Sequence, residues 1–167
     1  KGIAFEDGWG EPTVFLPLLY ERWQLGNRWD LVHAVHQSPA PFRKVASALP
    51  VVAEAARAGD RVALELFQEA GRLMALQMLA LLRREGLTEA EETCVCCGGC
   101  WKAHPAMYKT FRERMGEAAP RIRVQKPVFE PVMAGAVVRQ LERDPEASPE
   151  ALLDRLAGPY AAYRIEW

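Results

Sequence analysis

Three scarcities bound this sequence. The first is net charge: 21 basic residues stand against 22 acidic ones, leaving a formal −1 at pH 7. No broad basic field argues for a nucleic-acid partner. The second is uninterrupted apolar sequence. The stretch at residues 73–82 contains Gln77 and falls well short of the about 20 residues a membrane helix needs. No signal peptide is visible, and no membrane partner is expected. The third is cysteine and histidine away from one place. All four cysteines lie within residues 94–100, and the only histidines are His33, His36 and His104. Thiols this close together cannot staple distant parts of a secreted fold, so a reducing cytoplasm is the expected compartment. The chain opens on Lys1 rather than Met, which reads as a piece of a longer protein. Its 167 residues suffice for one domain with its own core, or one lobe of something larger.

What is present is mostly helical periodicity. Residues 1–13 are turn-rich, with Gly8, Gly10 and Pro12 punctuating "DGWGEPT". Residues 14–36 carry two apolar stripes, Leu16, Leu19 and Trp23, then Leu31, Val32 and Val35, separated by "LGNRWD". Helical spacing resumes at residues 42–57, where Pro50 marks a restart at a first turn. Gly59 followed by Asp60 reads as a stop and an N-cap. Residues 61–85 form the longest helix. Leu64, Phe67, Met74, Met78 and Leu81 on one side, with Leu66, Leu73, Leu76 and Leu79 around the rest, predict a helix buried between layers.

After Gly86 the period changes. "TCVCC" reads as a buried strand ended by two glycines. Residues 105–115 read as a helix, and "RIRVQ" alternates as a second strand with Arg121, Arg123 and Lys126 on a solvated face. A helix follows from Pro131, and "SPEALL" carries a serine cap with proline at the first helical position. Two strands make a poor free-standing sheet, so further strands are expected in the first residues, the tail or sequence upstream.

The run "CVCCGGC" admits three readings. Cys97 and Cys100 have the spacing of half a zinc site, with His33, His36 or His104 as the remaining candidates. On a strand, however, alternation sends Cys97 away from Cys94 and Cys96, so four thiols do not converge easily. "CGGC" between a strand and a helix also resembles a thioredoxin-type redox motif, although the long helical tract upstream is unlike the βαβ units that motif wants. Third, the thiols are small packing groups and the glycines carry the function. Gly98 and Gly99 at a strand end would let a ligand approach bare backbone, and α/β folds bind nucleotides at such crevices.

The order of these elements resembles one family. The stretch "FRKVASALPVVAEAARAGDRVALELFQEAGRLMALQMLALLRREGL" is similar to the helical signature of the BadF/BadG/BcrA/BcrD ATPases, which include N-acetylglucosamine kinase-like proteins. The matching positions are Ala46, Leu49, Pro50, Val52, Ala55, Ala56, Gly59, Asp60, Ala63 and Ala70, followed by the strand that ends in Gly98 and Gly99. Near the end, "KPVFEPVMAGAVVRQLE" resembles the family's closing segment through Pro127, Pro131, Val132, Gly135 and Ala136. The resemblance covers about residues 7–142.

It implies an α/β fold: the ribonuclease H-like C-terminal lobe of an actin-like ATPase. Residues 14–58 would be a helical insertion, residues 60–142 an α-β-α-β-α core, and residues 148–167 a C-terminal extension. Gly98 and Gly99 would form the adenosine motif, with ATP and Mg²⁺ as cofactors, an amino sugar as substrate, a missing N-terminal lobe as partner and a homodimer surface on this lobe. The family's two phosphate loops and its catalytic aspartate have no counterpart here. Phosphoryl transfer is mostly positioning and charge neutralisation, so residues 1–167 alone are expected not to turn over ATP. The rival expectations are a thiol redox or metal-binding module on Cys97 and Cys100, and a non-catalytic interaction fragment. Elsewhere, Trp9, Trp23, Trp29 and Trp167 are expected to pack, with Trp101 near a bound base. Met74, Met78 and Met133 are expected in the core, and His33 and His36 on the surface.

Overall fold

The computed structural model describes residues 1–165. Trp167, expected to pack, lies outside the described residues. The fold is mixed α/β and mostly helical, with one two-stranded parallel sheet. The first half contributes α1 (Gly2–Glu6), α2 (Phe15–Trp23), α3 (Arg28–His36), α4 (Pro41–Ala46), α5 (Leu49–Arg57) and the long α6 (Arg61–Arg84). Strand β1 (Thr93–Val95) leads through α7 (Gly99–Ala103) and α8 (Pro105–Ala118) to β2 (Arg123–Gln125). The strands pair in register Thr93 to Arg123, Cys94 to Val124 and Val95 to Gln125. The last helices are α9 (Ala134–Arg143) and α10 (Pro149–Ala157), the latter capped by Ser148 Oγ, which accepts from Ala151 N at 3.2 Å. Among the described residues no helix is long and apolar enough to cross a membrane.

Local chemistry sets most of these boundaries. Helix α5 ends on Gly59, whose φ of +89° suits only a residue without Cβ. Gly59 N donates to Ala56 O and Asp60 N to Ala55 O, which satisfies the last carbonyls of the helix. Asp60 then opens α6, its Oδ1 accepting from Ala63 N at 2.8 Å. Its Oδ2 accepts from Thr13 Oγ1 at 2.8 Å and Val14 N at 2.6 Å. One carboxylate thus caps the longest helix and pins the segment before α2, where Thr13 is buried. Burial by itself would raise the Asp60 carboxyl. The hydrogen bonds from Ala63, Val14 and Thr13 outweigh it and hold the group below its ordinary value.

The core forms where α5, α6, α7 and α8 meet the end of β1. The buried stripe of α6 is Ala63, Phe67, Gly71, Ala75, Leu79 and Leu82, at three- and four-residue spacing. It faces Met107, Phe111 and Met115 on α8. A Cβ on Gly71 would collide with the Met107 carbonyl oxygen and sit 3.1 Å from Phe111 N, so the two backbones touch there.

Several expectations change at this point. Helix α6 is not enclosed: Leu73, Met74, Leu76 and Leu81 are exposed, and its buried stripe is narrow and rich in small residues. Close approach of α8 uses small side chains, which a count of large apolar residues overlooks. The strand is covered on one face only, because the helices pack on one side; Thr93 and Val95 are exposed while Cys96 is buried. Trp9 and Trp29 are exposed rather than packed, whereas Trp23 lies under Lys44 Nζ, 3.9 Å from the ring centroid. Met133 is buried and Met78 half-buried, as core residues should be, but Met74 is exposed. His33 and His36 lie on the exposed side of α3, and Arg121 and Arg123 are solvated, as expected. Among the described residues, the first residues and the tail add no strand to β1 or β2. Instead, Phe129 and Arg164 form an isolated antiparallel bridge.

Gly71→Ala is expected to cost about 3 kcal/mol or more, because the backbone contact cannot relax without separating two helices. Gly116→Ala, on the open face of α8 with nothing near its Cβ position, is expected to gain up to about 1 kcal/mol. Denaturant unfolding of both variants checks this; equal effects would remove the close-contact argument. For Asp60, stabilisation is present above the unfolded carboxyl pKa and lost as pH falls through the lowered folded value. Asp60→Ala should therefore lose about 1–2 kcal/mol at pH 7 and show a shallower acid limb than the native chain in melts below pH 4.5 or so.

Candidate functional site

The chemistry-bearing residues gather at the C-terminal end of β1. The ladder extends one residue past the strand, Cys96 N donating to Gln125 O at 2.9 Å. Cys94 and Cys96, two apart, face the helices; Cys94 is half-buried and Cys96 buried. Cys97 has turned outward and is exposed, as alternation requires. Gly98 takes φ +117° and ψ 163°, a conformation essentially confined to glycine, and Gly99 starts α7. No atom lies within 4 Å of a Cβ position on either glycine, so the turn presents bare backbone to open space. Cys100 is exposed on α7. All four cysteines are free thiols.

Trp101, two residues past Gly99, belongs to the core. It is buried and meets Phe111 edge-on, with centroids 5.1 Å apart at 67°. The indole anchors α7 to α8. Beside it runs an apolar groove of about 370 Å³, walled by Met74, Met78 and Leu81 of α6 and by Cys94, Cys96 and Cys97. The bound on the far side is α8 through Phe111.

The thiols in the groove are not equivalent. Hydrogen bonding from the Cys96 thiol pulls Cys94 down to about 7, against the opposing effect of burial. Cys96 moves the other way, raised by its hydrogen bond to Cys94 and then by burial. Tyr108, whose hydroxyl donates to Val124 O at 3.3 Å, is raised by burial and by the nearby cysteines.

A larger trough, about 730 Å³, lies elsewhere between α6 and α8, lined by Glu65, Glu69, Arg72, Glu113, Arg114 and Glu117. Its charges are matched locally, Arg72 with Glu69 at 2.7 Å and Arg114 with Glu117 at 3.1 Å. Exposed pairs of this kind are ordinary helix surface, so size does not make the trough the better site.

Of the residues expected to act, Gly98 and Gly99 are brought to an open turn, with Cys97 and Cys100 flanking them. His33 and His36 are not brought there; His33 Nδ1 instead lies 2.9 Å from Gln37 Nε2. Among the described residues no three His, Cys, Asp or Glu side chains gather in a metal-binding group. One residue whose role was not foreseen is His104. It caps α8, its Nδ1 accepting from Ala106 N at 3.2 Å, and stacks on Phe67 with centroids 5.1 Å apart. The signal was present in "HPAM", a polar residue directly before a helix-starting proline. Arg57 closes the same corner by donating to Ala103 O at 2.7 Å.

No known family model matches this chain, and no curated protein matches its sequence.

Burial, and then the Arg57 charge, push the His104 imidazole below its ordinary value. The cap also needs an unprotonated Nδ1. Its contribution is therefore full above the unfolded histidine pKa and lost as pH falls through the lowered folded value. The thermal midpoint is expected to drop between about pH 7 and pH 5, and His104→Asn, a non-titrating cap, to flatten that drop. An equal drop in the Asn variant would clear His104 of the effect.

Proposed function

We propose that residues 1–167 supply the adenosine side of a nucleotide site. In this reading they are the ribonuclease H-like C-terminal lobe of an actin-like ATPase of the BadF/BadG/BcrA/BcrD kind, N-acetylglucosamine kinase-like in the activity of the whole protein. The observation that carries the reading is the open turn after β1. A parallel β-α-β unit runs from β1 into Gly98 and Gly99, and both glycines face empty space. Strand ends of this type are where α/β sheets receive nucleotides. A flat base can lie on backbone only where no Cβ intervenes, and Gly98 holds a conformation other residues rarely adopt. The motif order from Ala46 to Ala136 supports the same assignment.

The chain's own part in phosphoryl transfer would be positioning. ATP fits the bare turn, and holding its adenosine would fix the direction in which the phosphates leave the lobe. Mg²⁺ does not fit the side chains beside the glycines. Cys97 and Cys100 are soft donors poorly suited to a hard ion, and Lys102 is paired with Glu130. The amino sugar, the second lobe and a homodimer through this lobe belong to the same proposal.

The redox alternative has one observation in its favour, the exposure of both Cys97 and Cys100 around the turn. Against it, α7 has five residues, too short to offer the first thiol a strong helix dipole.

The test is photocrosslinking with 8-azido-ATP, mapped by mass spectrometry on the full chain. Adducts are expected near residues 96–102. Gly99→Val should abolish them without lowering the melting temperature, because no protein atom is near the added side chain. Adducts elsewhere, or none that excess ATP competes away, would overturn the proposal.

A further inference from the structure

Three thiols, Cys94, Cys96 and Cys97, and two thioethers, Met74 and Met78, line one groove, and the nucleotide reading uses none of them. Cys94 and Cys96 point to the same side of the sheet because the ladder continues through Cys96. Strand rise sets their Cα atoms roughly 6.6 Å apart, so a single ion can bridge the two sulfurs. Opposite them, α6 brings Met74 and Met78, one turn apart, into the same wall. Among the residues lining this groove, Gln77 alone carries a side-chain oxygen. The donor set is therefore almost entirely sulfur, in a setting that is apolar and half-shielded from water.

That chemistry selects a type of ion. Zinc in a structural site wants four ligands, and among the described residues no three His, Cys, Asp or Glu side chains are gathered. Hard ions want oxygen. Thiolate and thioether together suit Cu(I). We propose that Cys94 and Cys96 bind a soft monovalent metal ion of the Cu(I) type, with the Met74 and Met78 thioethers as further donors. The site uses the inner Cys-x-Cys pair and leaves the outer Cys97 and Cys100 pair free.

Binding exchanges each ligating S–H proton for the metal and releases it to solvent; the ion enters and stays as Cu(I), with no electron transferred. Metal affinity and proton release are coupled in this way at any thiolate site. The inference is independent of the nucleotide proposal.

The experiment is an anaerobic titration of the full chain with Cu(I) against a chromophoric chelator, followed by X-ray absorption. One Cu(I) per chain with sulfur-only ligation is expected. A Cys97→Ser/Cys100→Ser double variant should bind as the native chain does. Cys94→Ser, at a half-exposed position, should weaken binding at least 100-fold while circular dichroism stays native. A Met74→Leu/Met78→Leu variant, which preserves the apolar wall, should weaken it about 10-fold. Failure of the native chain to compete with the chelator would overturn the proposal. So would full affinity in Cys94→Ser, or loss of binding in the Cys97→Ser/Cys100→Ser variant. Unchanged affinity in the double methionine variant would remove the thioethers from the ligand set.

Discussion

The rest of the structure depends on the contact of α6 with α8 at Gly71. A parallel two-stranded sheet has almost no stability of its own, and here one of its faces is left open. It exists because α8 crosses over it and is clamped to α6 along a stripe of small residues. Gly71 sits where the backbones meet, with Ala63 and Ala75 two turns and one turn away. That approach brings Phe67, Leu79 and Leu82 against Met107, Phe111 and Met115, and burying each large side chain contributes about 1.5–3 kcal/mol before entropy is subtracted. Trp101 and Cys96 fill the end of the same core, so the position of the glycine turn follows from it.

Asp60 plays the complementary part at the other end of α6. A single carboxylate receives the first free amides of the longest helix and the hydroxyl and amide of residues 13 and 14. The segment ahead of α5 is thereby tied to the core by polar bonds as well as by the packing of α2 on α5. The pair Gly59 and Asp60 divides the labour: glycine reverses the chain out of α5, and aspartate pays the unpaired amides of α6.

At the strand end, two kinds of chemistry lie back to back. Outside, Gly98 and Gly99 offer bare backbone to solvent. Inside, Cys94 and Cys96 sit in a sulfur-lined groove under α6. The separation follows from strand alternation and from the helices covering one face only. The chain turns between Cys96 and Cys97, so Cys96 is buried and Cys94 half-buried while Cys97 and Cys100 are exposed, although Cys97 also lines the groove.

Much of the local structure was legible in the residues. The break between the first two stripes, which falls at residues 24–27 rather than across all of "LGNRWD", the restart at Pro50, the Gly59 and Asp60 stop and start, the Ser148 cap and the two short strands are all decided by turn, cap and period chemistry acting over a few residues. The outward turn of Cys97 and the open glycines were legible for the same reason. The narrow stripe of α6 was not. Its large residues Leu73, Leu76 and Leu81 advertise burial, while the face that is buried is marked by Gly71 and Ala75, whose value appears only when another backbone arrives. The burial of Trp101 and the exposure of Trp9 and Trp29 are of the same kind, since an aromatic ring goes where a partner surface exists. The sequence by itself determined where the chain bends, caps and alternates, because those energies are local. Only the tertiary structure decided which faces were covered and which sulfurs met, because packing is settled by residues far apart in the chain.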